Sequence, residues 1–161
     1  MKTVMTTNTK TKRIKLPPNP FLHEIFELAS KQRSKAKKVE ILQEYANDAM
    51  KSIFIWNFDE TVLTVLPKGP VPYKANEVPV GTDHTSLRRE HKHLYNFVKG
   101  GNDTLNGLRR ETMFVQILEG LHPEEANILC LVKDKSLQTK YKITYDVVRE
   151  AFPDIQWGGR S

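Results

Sequence analysis

Two prolines bracket the stretch Leu121–Ile155, LHPEEANILCLVKDKSLQTKYKITYDVVREAFPDI. Proline is tolerated in the first turn of a helix and stops a helix that runs into it. The stretch therefore reads as a helix opened by Pro123, a basic polar connector, a second helix opened at Thr144, and a stop at Phe152-Pro153. Two short helices joined by a lysine-rich turn suit the gripping of phosphate.

The same signals recur upstream. Phe21, Leu22, Ile25, Phe26 and Leu28 form one apolar helical stripe. Ser34 is a good N-cap for a second helix bearing Val39, Ile41, Leu42 and Tyr45. Asn47 can cap a third that directs Met50, Ile53, Phe54 and Trp56 inward, with a short helix expected from Asp59. Ile53–Leu66 has strand propensity, but no paired alternating strand follows it. Pro67–Asp83, with four prolines and two glycines, reads as a surface loop. Thr85 or Ser86 starts a helix carrying Leu87, Leu94, Tyr95 and Val98, closed by Gly100-Gly101. Asp103 or Thr104 is expected to cap the longest helix, which reaches about Gly120. Its apolar residues Leu105, Leu108, Met113, Phe114, Val115, Ile117 and Leu118 place it at the centre of the core. The expected fold is all-α: a compact multi-helix bundle of helix-hairpin units over residues 20–157. A disordered basic arm (1–19) precedes it and a tail (158–161) follows.

A chain of 161 residues, 39% hydrophobic, fits one domain with a loose arm. No run approaches the ~18 apolar residues of a membrane span, and the N-terminus lacks the apolar segment of a secretory signal. A cytoplasmic protein is expected. The single cysteine, Cys130, lies in the apolar run ILCLV and reads as a small core residue.

Net charge is +6, and its distribution matters more than its sum. Lys2, Lys10, Lys12, Arg13 and Lys15 occupy the arm, and Lys31, Arg33, Lys35, Lys37 and Lys38 form a second cluster containing no acid. Clustered cations attract polyanions by counterion release. The connector adds Lys133, Lys135, Lys140 and Lys142 ahead of Thr144, where free backbone N–H groups could seat a phosphate.

Signs of catalysis are few. There is no GxxxxGK or GxGxxG loop. His91 and His93, two apart on a helix, point about 200° away from each other and with His84 do not make a metal site. Asp59-Glu60 and Glu124-Glu125 sit where acids complement a helix N-terminus. No catalytic residue, metal or cofactor is expected.

Two segments carry a family resemblance: FLHEIFELASKQRSKAKKVEILQEYAND, and GGNDTLNGLRRETMFVQILEGLHPEEANILCLVKDKSLQTKYKITYDVVREAFPDI. In order of elements the chain resembles the N-terminal DNA-binding domain of ATP-dependent DNA ligases, especially those of T4-type bacteriophages. The resemblance covers most of residues 21–155 and implies an all-helical domain that grips duplex DNA, intact or nicked, along the backbone and minor groove. It places Ser34 and Lys35 to Lys38 at the first helix joint and Thr144 at the cap of the last helix. Lys142 stands where the family usually has a glycine, and the connector is longer. The ligases' adenylation motif KxDG has only Lys133-Asp134-Lys135 as a counterpart.

The expectation is a non-catalytic, sequence-independent DNA-binding module of phage replication or repair. Its candidate contacts are Ser34, Lys35, Lys37, Lys38, Arg109, Arg110, Lys133, Lys135, Lys140, Lys142 and Thr144. The alternative is a protein-interaction module that binds a replication, repair or host protein through Val71, Tyr73, Val78 and Trp157.

Overall fold

Phe21 cannot cap a helix with its side chain, so Glu24 reaches back and accepts the Phe21 N–H at 2.9 Å. Helix α1 (Leu22–Ser30) starts there and buries Leu22, Ile25, Phe26 and Ala29 completely. Ser34 caps α2 (Lys35–Glu44) by accepting the Lys37 N–H, and Asn47 caps α3 (Asp48–Phe58) by accepting that of Met50. All three helices begin within a residue or two of where the sequence places them.

The computed structural model describes residues 15–76 and 84–160. Most of the expected basic arm and Val78 of the expected loop lie outside the described residues. Beyond the loop come α4 (Leu87–Glu90), a 3-10 segment (His91–Phe97), α5 (Gly107–Gly120), α6 (Pro123–Lys133), a 3-10 turn (Leu137–Thr139) and α7 (Tyr145–Ala151). No strand occurs among the described residues, only isolated bridges at Thr64–Val98 and Thr85–Leu121. The fold is all-α, as expected.

Helix α1 packs on α2 and α6, while α2 packs on α7. Helix α3 meets α6, α4 and the 3-10 segment, and α5 lies against α6 and that same segment. An aromatic chain runs through the centre: Phe26 lies 5.2 Å from Phe54 and 5.5 Å from Tyr141, and Phe54 lies 6.2 Å from Phe152. It ties α1 and α3 to the connector and to the end of α7.

A buried acid organises this packing. Glu125, on α6, has no solvent exposure. Its Oε2 accepts the Leu22 N–H at 2.8 Å and its Oε1 the Leu87 N–H at 2.9 Å. These are the first residues of α1 and α4, so one carboxylate caps two helices contributed by other parts of the chain. Arg88 donates to Pro20 O, closing the same corner. Burial raises the Glu125 pKa, and the two N–H bonds pull it back.

Three expectations are corrected. No helix starts at Asp59; that residue ends α3 with extended backbone, and 63–65 runs beside 97–99 through Val65 N–H to Phe97 O and Lys99 N–H to Leu63 O. The helix after Ser86 keeps α geometry for only four residues before tightening to 3-10, which leaves Tyr95 53% exposed and Val98 in a bridge. Helix α5 is capped by Asn106, not Asp103 or Thr104, because Asp103 is committed to the Gly100 N–H. It is also peripheral: only Phe114 and Leu118 are buried, and Leu108 is 76% exposed. Its apolar residues encircle the helix, and neighbours cover only one side.

Glu125→Ala leaves two buried N–H groups without an acceptor and should lower stability by about 2–5 kcal/mol. Glu125→Gln, which keeps one acceptor oxygen, should lose less. Urea denaturation of the three proteins checks the order.

Candidate nucleic-acid interface

The lysine-rich α1–α2 joint and the connector, far apart in sequence, meet in the fold. Lys142 N–H donates to Ser30 Oγ at 2.9 Å, and Lys38 Nζ donates to Lys142 O at 2.5 Å. Tyr141 and Ile143 are buried on either side of Lys142, so the extended backbone turns Lys142 outward. Lys31, Arg33, Ser34, Lys35, Lys37 and Thr144 are exposed around this junction, and Lys38 is half-buried. The Lys35–Glu150 pair, 3.4 Å apart, is about half exposed on both sides and does little to hold Lys35 back. Lys140 is more engaged: it pairs with Glu124 at 2.8 Å and lies over the Tyr141 ring. Bonding to Lys140 pulls the Glu124 carboxyl below its usual range.

Other expected contacts are structural struts. Lys133 is 3% exposed, and its Nζ donates to Pro67 O, Gly69 O and Asp134 Oδ1 within 2.7–2.9 Å. It holds the start of the proline-rich loop and is withdrawn from any phosphate. Lys135 adopts φ +54° at the end of α6. Its N–H bonds to Val132 O and that of Ser136 to Leu131 O, the Schellman closure usually built with glycine. Its Nζ caps the last carbonyls of α3, Trp56 O and Asp59 O, and burial lowers its pKa. Arg110 donates to Asn96 O, Asn102 O and Leu105 O, bracing the turn before α5. Arg109 is exposed, but on α5, which packs on α6 and the 3-10 segment. Thr144 caps α7 with its own hydroxyl at Val147 N, and Asp146 occupies the first turn. That acid makes the end of α7 a poor phosphate seat.

The connector is also less polar than it reads. Leu137, Tyr141 and Ile143 are all buried in the core. Cys130 is half-buried, and burial raises its pKa.

His84 keeps company other than His91 and His93. Its ring lies 5.3 Å from His122, which stacks 4.6 Å from His23. Burial first, then the neighbouring His122, lowers the His23 pKa to about 4. Among the described residues no group of three or more His, Cys, Asp or Glu side chains could hold a metal ion.

The residues after Ile155 are anchored. Asp59, 2% exposed, accepts from the Thr61 N–H and hydroxyl, Gly158 N–H and Arg160. Burial raises its pKa, but these bonds outweigh burial and hold it at about 2. Trp157 packs edge-on to Tyr145 at 5.1 Å, and Val71 and Tyr73 are partly buried against the core. Sequence spacing gave no sign of the Asp59–Arg160 pair, whose members are 101 residues apart.

Fold and surface together define an all-helical domain with a discontinuous basic face. The chain belongs to DUF6433, a family of unknown function, whose model matches residues 25–139. The match contains the Ser34–Lys38 half of the basic face and stops short of Lys142 and Thr144. No curated protein and no solved structure matches the chain significantly. Among the described residues, no helix is long and apolar enough to cross a membrane.

Lys133→Met should cost about 1–3 kcal/mol, because it removes the hydrogen bonds that a buried ammonium makes to Pro67 O, Gly69 O and Asp134. Lys37→Ala, at an exposed site, should stay within about 0.5 kcal/mol of the parent. Urea midpoints separate strut from surface. A second expectation concerns acid. Asp59 contributes about 2 kcal/mol above its unfolded pKa near 4, and this is lost as pH falls towards 2. Asp59→Asn should flatten stability over that window.

Proposed function

We propose that the chain is a non-catalytic module that binds duplex DNA through its phosphate backbone, independently of sequence. The observation that carries this reading is the Lys38–Lys142 junction. It joins Lys38 and Lys142 from two distant segments, with Lys31, Arg33, Lys35 and Lys37 exposed along the same joint and the first turn of α2. Long flexible cations there can neutralise phosphates without a fixed pairing geometry, so affinity follows counterion release and not base identity. The resemblance to ligase DNA-binding domains supports the same polymer and suggests service in phage DNA replication or repair. The strut roles of Lys133, Lys135 and Arg110 narrow the contact set to Ser34, Lys35, Lys37, Lys38 and Lys142, with Thr144 beside them and Lys140 partly engaged.

A protein partner is the alternative, and Leu108, 76% exposed on α5, is the observation on its side.

Fluorescence anisotropy with intact, nicked and single-stranded DNA at several salt concentrations tests the proposal. The parent should bind duplex with a steep salt dependence. Lys37→Ala/Lys142→Ala should shallow the slope of log K against log salt by about 1.8. An unchanged slope removes this face from the interface, and no binding at low salt favours the protein partner.

A further inference from the structure

A groove of about 390 Å³ opens between α3, the 3-10 segment and the turn at 98–101, on elements separate from the lysine-rich junction. Ile55, Trp56, Val62, Leu94 and Val98 give it an apolar lining. Tyr95, 53% exposed, supplies an accessible aromatic ring at its edge. Lys92, Lys99 and Arg160 add three cations, and no Asp or Glu is among the lining residues.

The walls are held in place by the fold. Lys99 N–H bonds to Leu63 O at 2.8 Å, fixing the backbone that carries the Lys99 side chain. A Cβ at Gly101 would lie 1.8 Å from Tyr95 O, so only glycine lets the turn close against the tyrosine backbone. Arg160 is positioned twice, by its N–H on Thr61 Oγ1 at 3.0 Å and its guanidinium on Asp59 Oδ2 at 2.7 Å. About a third of its side chain stays exposed. Lys92 and Lys99 form no ion pair among the described residues.

We propose that this groove binds a nucleobase bearing a phosphate. The base lies against Tyr95 and the apolar lining, and the phosphate is held by Lys99 with Lys92 or Arg160. Charge complementarity selects this occupant: an apolar floor alone would accept any greasy side chain, but Lys92 and Lys99 form no ion pair among the described residues, Asp59 occupies only Arg160, and the two lysines favour an anion. The volume falls in the range of small-ligand sites, and aromatic stacking plus cations is how unpaired bases are gripped. The unit has two sources, a free mononucleotide or a nucleotide of a single strand. Because the residues differ from those of the duplex-binding face, either proposal can fail without the other.

Isothermal titration of the full chain with adenosine 5′-monophosphate, a six-nucleotide single strand and inorganic phosphate tests it. Tyr95→Ala, at an exposed position, should weaken binding roughly 5- to 100-fold, and Lys99→Gln should weaken it while leaving the urea midpoint unchanged. Binding of the monophosphate assigns the free nucleotide; binding of the strand alone assigns the polymer, and both support the groove. Lys37→Ala/Lys142→Ala should leave the monophosphate affinity untouched. The proposal fails if neither nucleotide probe binds at millimolar concentration, if Tyr95→Ala binds as the parent does, or if inorganic phosphate binds as tightly as the monophosphate.

Discussion

Glu125 is the constraint around which the molecule is arranged. Its carboxylate takes the leading N–H groups of α1 and α4, two helices that do not share a hairpin with α6. Helix starts leave N–H groups that must find acceptors, and inside a core water cannot serve. A side chain with two acceptor oxygens solves both problems at once, provided that both helices arrive in register. The aromatic chain from Tyr141 through Phe26 and Phe54 to Phe152 then has a fixed frame to fill. The position of the basic face follows, because α1 sets where its joint with α2 meets the connector.

Charge on a sequence and charge on a surface are different quantities. Lys133, Lys135 and Arg110 read as ordinary members of basic runs, yet each spends its donors on backbone carbonyls. Lys135 even adopts a left-handed backbone, a conformation that costs about 1 kcal/mol or more for a residue with a Cβ. Its ammonium offsets that cost by closing the end of α3. The surviving face is smaller than the sequence suggests and comes from two joints brought together.

Local signals were legible: Ser34, Asn47, Pro123 and Thr144 mark helix starts because capping is decided within four residues. The first joint and Lys142 were legible as candidate contacts for the same reason, since exposed basic turns are local. What could not be read was partnership at a distance. Glu125 looked like a dipole-complementing acid, and nothing nearby in sequence announces Leu22 or Leu87 as its partners. The misplacement of α5 has a related cause: apolar periodicity says that a helix has a face to bury, not whether neighbours cover it. Tyr95 read as one apolar residue of a helix and Arg160 as part of a tail, because a groove belongs to the arrangement and not to any one segment.

The closure of α1 by residues from the other end of the chain has a temporal side. Leu22 and Glu125 lie 103 residues apart, and Phe26 meets Tyr141 from similarly far away. During synthesis the α1–α2 hairpin can form as soon as it emerges, because its contacts are local. Apart from Phe26, which Phe54 of α3 reaches first, its apolar face must then wait until α6 and the connector have left the ribosome. At ~5–20 residues per second that delay amounts to several seconds or more. For that interval the half-made protein presents Leu22 and Ile25 to whatever is nearby, an exposure that the finished fold removes.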